Sequence, residues 1–368
     1  MKPQIVIVTG VYPPEIGGPA KFCKAFSDWL TRKEFPNTVL TLTDGNDLIF
    51  EKEVHKQILI SRRRYLFERM VRTIMFAWKQ SSTSVFLVNG LFIEFSFLTF
   101  LKQINFVAKI PGDIVWERCL NQGKTQLSVS DYQGNEDVGK RVMRYFFVRT
   151  LKKARIVIVP SAFLKQLAIN WGVPESKIVV LQNSADLNIF SPHVSEQKIY
   201  DLVTVGRLIK LKGVEELIEV SRSLNMSLAI VGTGPEYDSL QTFAAKNDID
   251  VNFLGELRPV EVAQILSKSS FFVLNSSHEG SPHALIEALA SGVVSIARKN
   301  TGTVEIIEHG YTGFLFDSGD QLIQILQNLK RDSMLCQRIS ENASFYAKER
   351  FDESTVFQSI YELLIGKT

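Results

Sequence analysis

The run HEGSPHALIEALA, residues 278–290, sets two carboxylates eight positions apart, Glu279 in a turn and Glu287 inside a helical pattern. Carboxylates accept hydrogen bonds from paired vicinal hydroxyls, so both suit a polyol. Taken alone, the run is also a plain helix start, with Pro282 in the first turn and Glu279 at the positive end of the helix dipole. Glu287, however, is flanked by Leu285, Ile286, Ala288 and Leu289, with little polar face around it. Arg207 and Lys212, in DLVTVGRLIKLKG, follow a different apolar run, beside Gly206 and just before another helical pattern. Two fixed cations at a strand end beside a helix N-terminus make a site for a diphosphate. The competing reading is two solvated loop cations. Gly280, Ser281, Pro282, His283, Ala284 and Leu285 form a helix start whose free amides suit an anion. Together these groups fit a nucleoside diphosphate: cations and amides on the phosphates, one carboxylate on ribose, the other on a second polyol.

Such groups need strand ends to hold them, and the chain supplies a regular rhythm of short apolar runs and longer helical patterns. Strands are predicted at QIVIVTG, TVLTLT, QILIS, SVFLVNG, NFVAKIPG, ARIVIVPS and KIVVLQN, then at DLVTVGR, SLAIVGTG, VNFLGEL, SFFVLNS, VVSIAR and GFLF. Most are apolar throughout, as strands covered by helices on both faces must be. Alternation at this spacing predicts parallel sheets built from βαβ units, which bind ligands at the carboxyl ends of their strands. The polar stretch NIFSPHVSEQK, residues 188–198, breaks the rhythm. The expectation is an α/β protein of two doubly wound, Rossmann-like parallel-sheet domains facing a cleft. They are placed at 1–195 and 196–349, with a C-terminal helix of about 350–368 packing back on the first.

Composition excludes several classes. Of the 368 residues, 45% are hydrophobic and 22% charged, ordinary for a folded soluble protein. The three cysteines, Cys23, Cys119 and Cys336, form no CxxC pair, which argues against a disulfide scaffold or a zinc ribbon and for a reducing compartment. The N-terminal run MKPQIVIVTG reads as a strand rather than a signal peptide. The longest apolar stretch, VFLVNGLFIEFSFLTFLKQINF, is interrupted by Asn89, Gly90 and Glu94 and is not taken as a membrane span. Asp248 and Asp250 spell D-x-D, but before a strand, the wrong end for a metal-assisted site. No HExxH and no G-x-S-x-G occur, and no bound metal is expected.

Charge is uneven. Residues 1–190 carry 26 Lys+Arg against 16 Asp+Glu, whereas residues 191–368 carry 16 against 23. In the first half, Pro13-Pro14 stiffens the loop TGVYPPEIGGPAKF, and Gly17-Gly18 allow a close approach of backbone to ligand before a helix. The run SRRRYLFERMVRTIMFAWKQ mixes Arg62, Arg63, Arg64, Arg69 and Arg72 with Tyr65, Phe67, Met70, Ile74 and Phe76. It is either a sheet-covering helix with a solvated basic face or a helix that lies on an anionic membrane. With the basic half-charge, the expectation is a cytoplasmic protein peripheral to the inner face of the cell membrane, or one with an anionic acceptor. No nucleic-acid signature accompanies the charge.

The E-x7-E of HEGSPHALIEALASGVVSIA, followed by TGTVEIIEHGYTGFLF, resembles the donor site of the retaining GT-B glycosyltransferases of family 4, the glycosyl transferases group 1 type. VGRLIKLKG, VGTGPEYDSL and VNFLGEL resemble consecutive motifs of that family's C-terminal domain. PPEIGGPAKF and PSAFLKQLAINWGVPESKIVVLQNSADLNIF resemble its N-terminal domain, so the resemblance covers nearly the whole chain. It implies hexosyl or N-acetylhexosaminyl transfer, EC 2.4, with retention, from a nucleotide diphosphate sugar to a glycan or lipid-linked acceptor, without cofactor or obligatory metal. Arg207 and Lys212 would then bind the donor diphosphate, Glu287 the ribose, and Glu279 the donor sugar. The amides of residues 280–285 would line sugar and phosphate, and Gly17 and Gly18 would approach the diphosphate and acceptor. Asp113, in KIPGDIVWER, matches the Asp of a His-Asp pair, with Gly112 where many members have the His; either a backbone or polar contact to the sugar is lost or Trp116 and Glu117 replace it. NSAD, residues 183–186, stands where NGVD is usual, so Ser184 must accept that turn. A non-catalytic GT-B-like binding or membrane scaffold protein, and a GT-B-type nucleotide-sugar epimerase, are the other readings.

Overall fold

The run QIVIV forms strand β1 (Gln4–Val8), and Ile5, Val6, Ile7 and Val8 are wholly buried because helices cover both faces of their sheet. The computed structural model describes residues 3–366 apart from 16, 53, 64, 81–83, 126, 127, 135 and 194–196. The chain divides into two units, Met1–Leu181 with Phe357–Thr368, and Gln182–Val356.

The first unit adds β2 (Asn37–Thr43), β3 (Leu48–Lys52), β4 (His55–Ser61), β5 (Ser84–Val88), β6 (Phe106–Lys109), β7 (Ile156–Val159) and β8 (Ile178–Val180). Their order is β3-β4-β2-β1-β5-β6-β7-β8, and every neighbour is parallel except β3 on β4. Ile7 of β1 lies opposite Val39 of β2 and Leu87 of β5. Strand β3 is absent from the expected strands. Its run LIFEK pairs only on one side, with Leu48 opposite Leu59 and Phe50 opposite Gln57, and its Leu48, Ile49 and Phe50 are exposed. The last helix, Glu353–Ile365, sends Phe357 against Phe26 (5.3 Å between centroids) and Tyr361 onto Phe35 (4.2 Å, stacked). Arg155 Nη2 donates to Leu364 O of that helix (2.8 Å).

The second unit is a wholly parallel sheet of β9 (Tyr200–Val205), β10 (Leu228–Val231), β11 (Val251–Gly255), β12 (Ser269–Leu274), β13 (Val294–Arg298) and β14 (Phe314–Phe316). Their order is β11-β10-β9-β12-β13-β14. Alternate residues feed two separate apolar layers, as the period of a strand requires. Phe272 and Leu274 join Leu285, Ile286 and Leu289 on one face. Phe271 and Val273 join Leu217, Ile218 and Leu322 on the other.

Candidate functional site

In the second sheet the chain order reverses between β9 and β12, so the loops leaving their carboxyl ends diverge and open a crevice, where open α/β sheets take ligands. Arg207 follows β9, Lys212 closes the 3₁₀ turn Lys210–Lys212, and Glu279 lies in the loop after β12. Lys212 Nζ donates to Glu279 Oε1 in a half-buried ion pair, joining side chains 67 positions apart. Arg207 is exposed and has no side-chain partner among the described residues.

The backbone around this pair is held closely. Gly213, at φ 58°, caps helix Val214–Ser223, and a Cβ there would lie 2.7 Å from Asn275 O. Asn275 Nδ2 donates to Gly213 O (2.7 Å), and Arg298 Nε donates to Asn275 Oδ1 (2.8 Å). Arg298 also pairs with Glu216 (2.5 Å) and donates to Asp317 O (2.9 Å). Ser277 N donates to Leu211 O (2.8 Å), tying the Glu279 loop to the Lys212 turn. A Cβ on Gly302 would come within 2.5 Å of Glu279 O, so the loop after β13 lies directly against Glu279. Gly206, beside Arg207, is approached as closely: a Cβ on Gly232 would lie 2.0 Å from Gly206 O. Sequence reasoning missed Asn275 and Arg298. Arg298 ends an apolar strand as Arg207 does, and that shared position was the available signal.

Helix His283–Ala290 starts at Pro282 with no side-chain cap, so its first amides are not covered from that side. Asn183 Nδ2 donates to Ser281 O (2.7 Å), and His283 Nδ1 lies 3.4 Å from Ser184 O. Gly280, Ser281, His283 and Ala284 are partly exposed, Pro282 is buried, and Leu285 belongs to the core. Ser184 accepts its turn without a left-handed backbone. Glu287 is buried in this helix at 4% exposure, so Glu279 is the more open of the two carboxylates.

In the first unit the order reverses between β1 and β5. A Cβ on Gly90 would lie 2.5 Å from Gly10 N, so the loops after these strands touch backbone to backbone. Gly17, at φ 154°, precedes helix Gly18–Arg32, which has no side-chain cap; a Cβ on Gly17 would meet only Pro19, at 3.8 Å. Lys109, at the end of β6, is buried over the Phe22 ring (4.3 Å), and burial lowers its pKa to about 8. Burial also pushes the neighbouring Cys23 thiol up to about 12. Lys109 too ends an apolar strand, and it was overlooked.

Asp113 corrects an expectation. Its side chain is wholly buried among fixed partners: Oδ1 accepts from Val115 N (3.0 Å) and Trp116 N (3.1 Å) and pairs with Arg144 (2.7 Å), and Oδ2 accepts from Gln133 (2.9 Å). It starts helix Ile114–Asn121 and anchors Arg144, so its charge is committed within the fold. Trp116 is buried as well. Glu117 differs: a Cβ on Gly112 would lie 2.0 Å from Glu117 Oε1, so this carboxylate occupies the space over Gly112.

Among the described residues the basic run divides between paired and unpaired cations. Arg62 pairs with Glu15 (2.7 Å) and Asp44 (3.3 Å), Arg69 with buried Glu94 (3.2 Å), and Arg72 with Asp47 (2.7 Å). Arg62 and Arg69 are largely buried in these pairs, Arg72 is half exposed, Arg63 is exposed without an ion pair to a described residue, and Arg64 lies outside the described residues. Asp248 and Asp250 sit before β11, at its amino end. Among the described residues no group of three or more His, Cys, Asp or Glu is placed to hold a metal ion. No described helix is long and apolar enough to cross a membrane.

Residues 186–344 match the family model described as Glycosyl transferases group 1, and residues 16–189 match that of Glycosyltransferase Family 4. Over 60% of its length the chain is 27% identical to an uncharacterized glycosyltransferase, MJ1178, of Methanocaldococcus jannaschii. Over 59% it is 26% identical to the capsular polysaccharide biosynthesis glycosyltransferase CapM of Staphylococcus aureus. The matched stretches span 63% and 64% of those proteins, a little under two thirds. The fold is similar to that of Anabaena Alr3699/HepE, solved with UDP and with UDP-glucose. For the UDP complex the TM-score is 0.78 at 19% identity, over the whole of both chains.

Proposed function

Because the chain belongs to the GT-B glycosyltransferases of family 4, we propose that it moves a sugar from a UDP-sugar to a glycan or lipid-linked acceptor, with retention. The reading rests on the Lys212–Glu279 pair beside Arg207 at the β9/β12 reversal. The UDP complexes of HepE and the polysaccharide role in CapM's name support the choice of donor and acceptor.

In this reading Lys212 exchanges Glu279 for the donor diphosphate. The exchange frees the Glu279 carboxylate to accept from sugar hydroxyls, so one ion pair couples diphosphate and sugar recognition. The acceptor oxygen attacks the anomeric carbon from the face that the diphosphate leaves. The bond from that carbon to the phosphate oxygen breaks, and the acceptor proton passes to the departing phosphate, so no enzymic nucleophile is needed. Negative charge grows on the diphosphate, and Arg207 and Lys212 meet it more strongly in the transition state than in the ground state. These two cations supply the neutralisation that a metal would otherwise give.

Thermal shift and turnover with UDP-hexoses, UDP-N-acetylhexosamines and GDP-sugars, all in EDTA, test this. A UDP-sugar is expected to raise the Tm and release UDP under chelation. Loss of turnover reversed by Mg²⁺ or Mn²⁺ would refute the metal-free route. Stabilisation by no nucleotide sugar would refute the donor site itself.

Glu117 takes the space that a side chain at position 112 would fill, and in this reading it supplies the polar contact that the resemblance assigns to the residue before Asp113. Gly112→Ala must push that carboxylate aside. Turnover is expected to fall about tenfold or more, as for loss of a positioned acid–base or hydrogen-bonding group. Glu117→Ala should cost as much, and the double variant no more, because both remove one interaction. Additive losses would show that the two positions act separately.

A further inference from the structure

Helix Leu66–Gln80 is apolar on two sides. Thr73 and Ala77 are buried, yet Phe67, Val71, Met75 and Trp78, each about one turn from the next, are exposed, Phe67 by 74%. A helix that only covers a sheet is polar on its outer side. Neighbouring helices extend the surface: Phe92–Leu101 exposes Phe100 and Leu101, and Val138–Lys153 exposes Val138, Val142 and Tyr145. The three helices form one layer. Arg69 pairs with Glu94, Phe97 stacks on Phe146 (4.8 Å), Lys102 Nζ lies over Trp78 (5.2 Å), and the Arg149 guanidinium lies over Phe100 (3.2 Å). A contiguous apolar surface of this kind marks an interaction site.

Cations are set among these side chains. The side chains of Arg63, Lys79, Arg141, Lys152 and Lys153 make no ion pair or hydrogen bond with any described residue. Arg141, Lys152 and Lys153 line a groove of about 670 Å³ with Tyr145 and Trp171, and Arg149 joins that groove to Phe100.

We propose that this face docks on an anionic lipid bilayer, with Phe67, Trp78, Phe100 and Tyr145 among the headgroups and the uncommitted cations on lipid phosphates. Aromatic side chains beside lysines and arginines are the composition of a surface that lies in the membrane interface. A second copy is a poor occupant, because a symmetric contact would set basic face against basic face. The first half of the chain is basic overall, with 26 Lys+Arg against 16 Asp+Glu in residues 1–190. Within the arginine run of the sequence, Arg62, Arg69 and Arg72 are paired with carboxylates of the fold, so the docking surface takes from that run Arg63, Phe67, Trp78 and Lys79 and adds the two neighbouring helices.

Co-sedimentation with vesicles, without any nucleotide, tests the face independently of sugar transfer. Pelleting is expected with phosphatidylglycerol in phosphatidylcholine, not with phosphatidylcholine alone, and it should weaken as salt rises. The triple change Arg141→Ser, Lys152→Ser, Lys153→Ser should lower binding by roughly fivefold per charge. Phe67→Ser with Trp78→Ser should lower it by roughly tenfold at fixed salt. All five positions are exposed, so circular dichroism and Tm should stay at wild-type values in both variants. No pelleting on anionic vesicles at low salt, equal pelleting on neutral ones, or indifference to the Phe67 and Trp78 changes would overturn the proposal. So would self-association of the free protein that those two changes abolish, which would make the face an interface between copies.

Discussion

Lys212→Ala is expected to lower kcat/KM by about 10²–10³ while leaving most of the stability in place. The ammonium pairs with Glu279 in the free protein and, as proposed, with the diphosphate as it departs. Removing one preorganised group aimed at developing charge costs about 2.7–4 kcal/mol of transition-state stabilisation. The same change costs less in folding than loss of a fully buried pair, because the Lys212 and Glu279 side chains keep 22% and 12% of their surface exposed. Arg207→Ala is the cleaner companion: its side chain has no partner among the described residues, so any loss of rate is functional. Glu279→Gln separates the two halves of the exchange. It leaves Lys212 unpaired, so UDP should bind at least as tightly as to wild type while sugar turnover falls. Steady-state kinetics with UDP affinity by calorimetry checks all three; wild-type turnover in Lys212→Ala would end the assignment.

Arg144→Met should be the most destabilising single change near either sheet's carboxyl edge, by about 3–5 kcal/mol, because it strands a buried charge. Asp113 is wholly buried, and Arg144 is its only ionic partner among the described residues. The guanidinium also holds Glu136 (3.0 Å) and lies over the Trp171 ring (5.0 Å). Without it, Asp113 retains Gln133 and two backbone amides but no opposite charge. Asp113→Asn added to Arg144→Met should restore part of the loss, since the stranded charge is then gone. Chemical denaturation followed by circular dichroism measures this. A two-unit protein need not unfold in one step, so the transition assigned to the first unit is the one to compare. An unchanged midpoint in Arg144→Met would mean that the pair contributes nothing.

The periodicity of apolar runs made the two parallel sheets legible, because a strand covered on both faces has to be apolar throughout. LIFEK escaped notice for the same reason: an edge strand with an exposed side owes the core nothing and carries no such pattern. At the candidate site, the positions of Arg207, Lys212 and Glu279 after strands could be read from the chain, but not that Lys212 touches Glu279. Long charged side chains choose partners by tertiary geometry, and their spacing in sequence is silent about it. Asp113 shows this most plainly. Its pairing with Gln133 and Arg144, 20 and 31 positions on, made a strand-end carboxylate into an anchor. Glu117 was visible as a charge, but its place over Gly112 depends on what that glycine lacks.

The helix Glu353–Ile365 has a consequence for the order in which the protein is made. Phe22, Phe26 and Trp29 find part of their cover in Phe357 and Tyr361, and residues from Phe357 onward belong to the first unit although the whole second unit is translated before them. At about 5–20 residues per second, residues 182–356 occupy a ribosome for roughly 10–35 s. For that time the nascent first sheet stands with an aromatic patch open to water. A ribosome-stalled chain ending near residue 350 should therefore hold a chaperone on the first unit, and release should follow synthesis of the final helix rather than completion of either sheet.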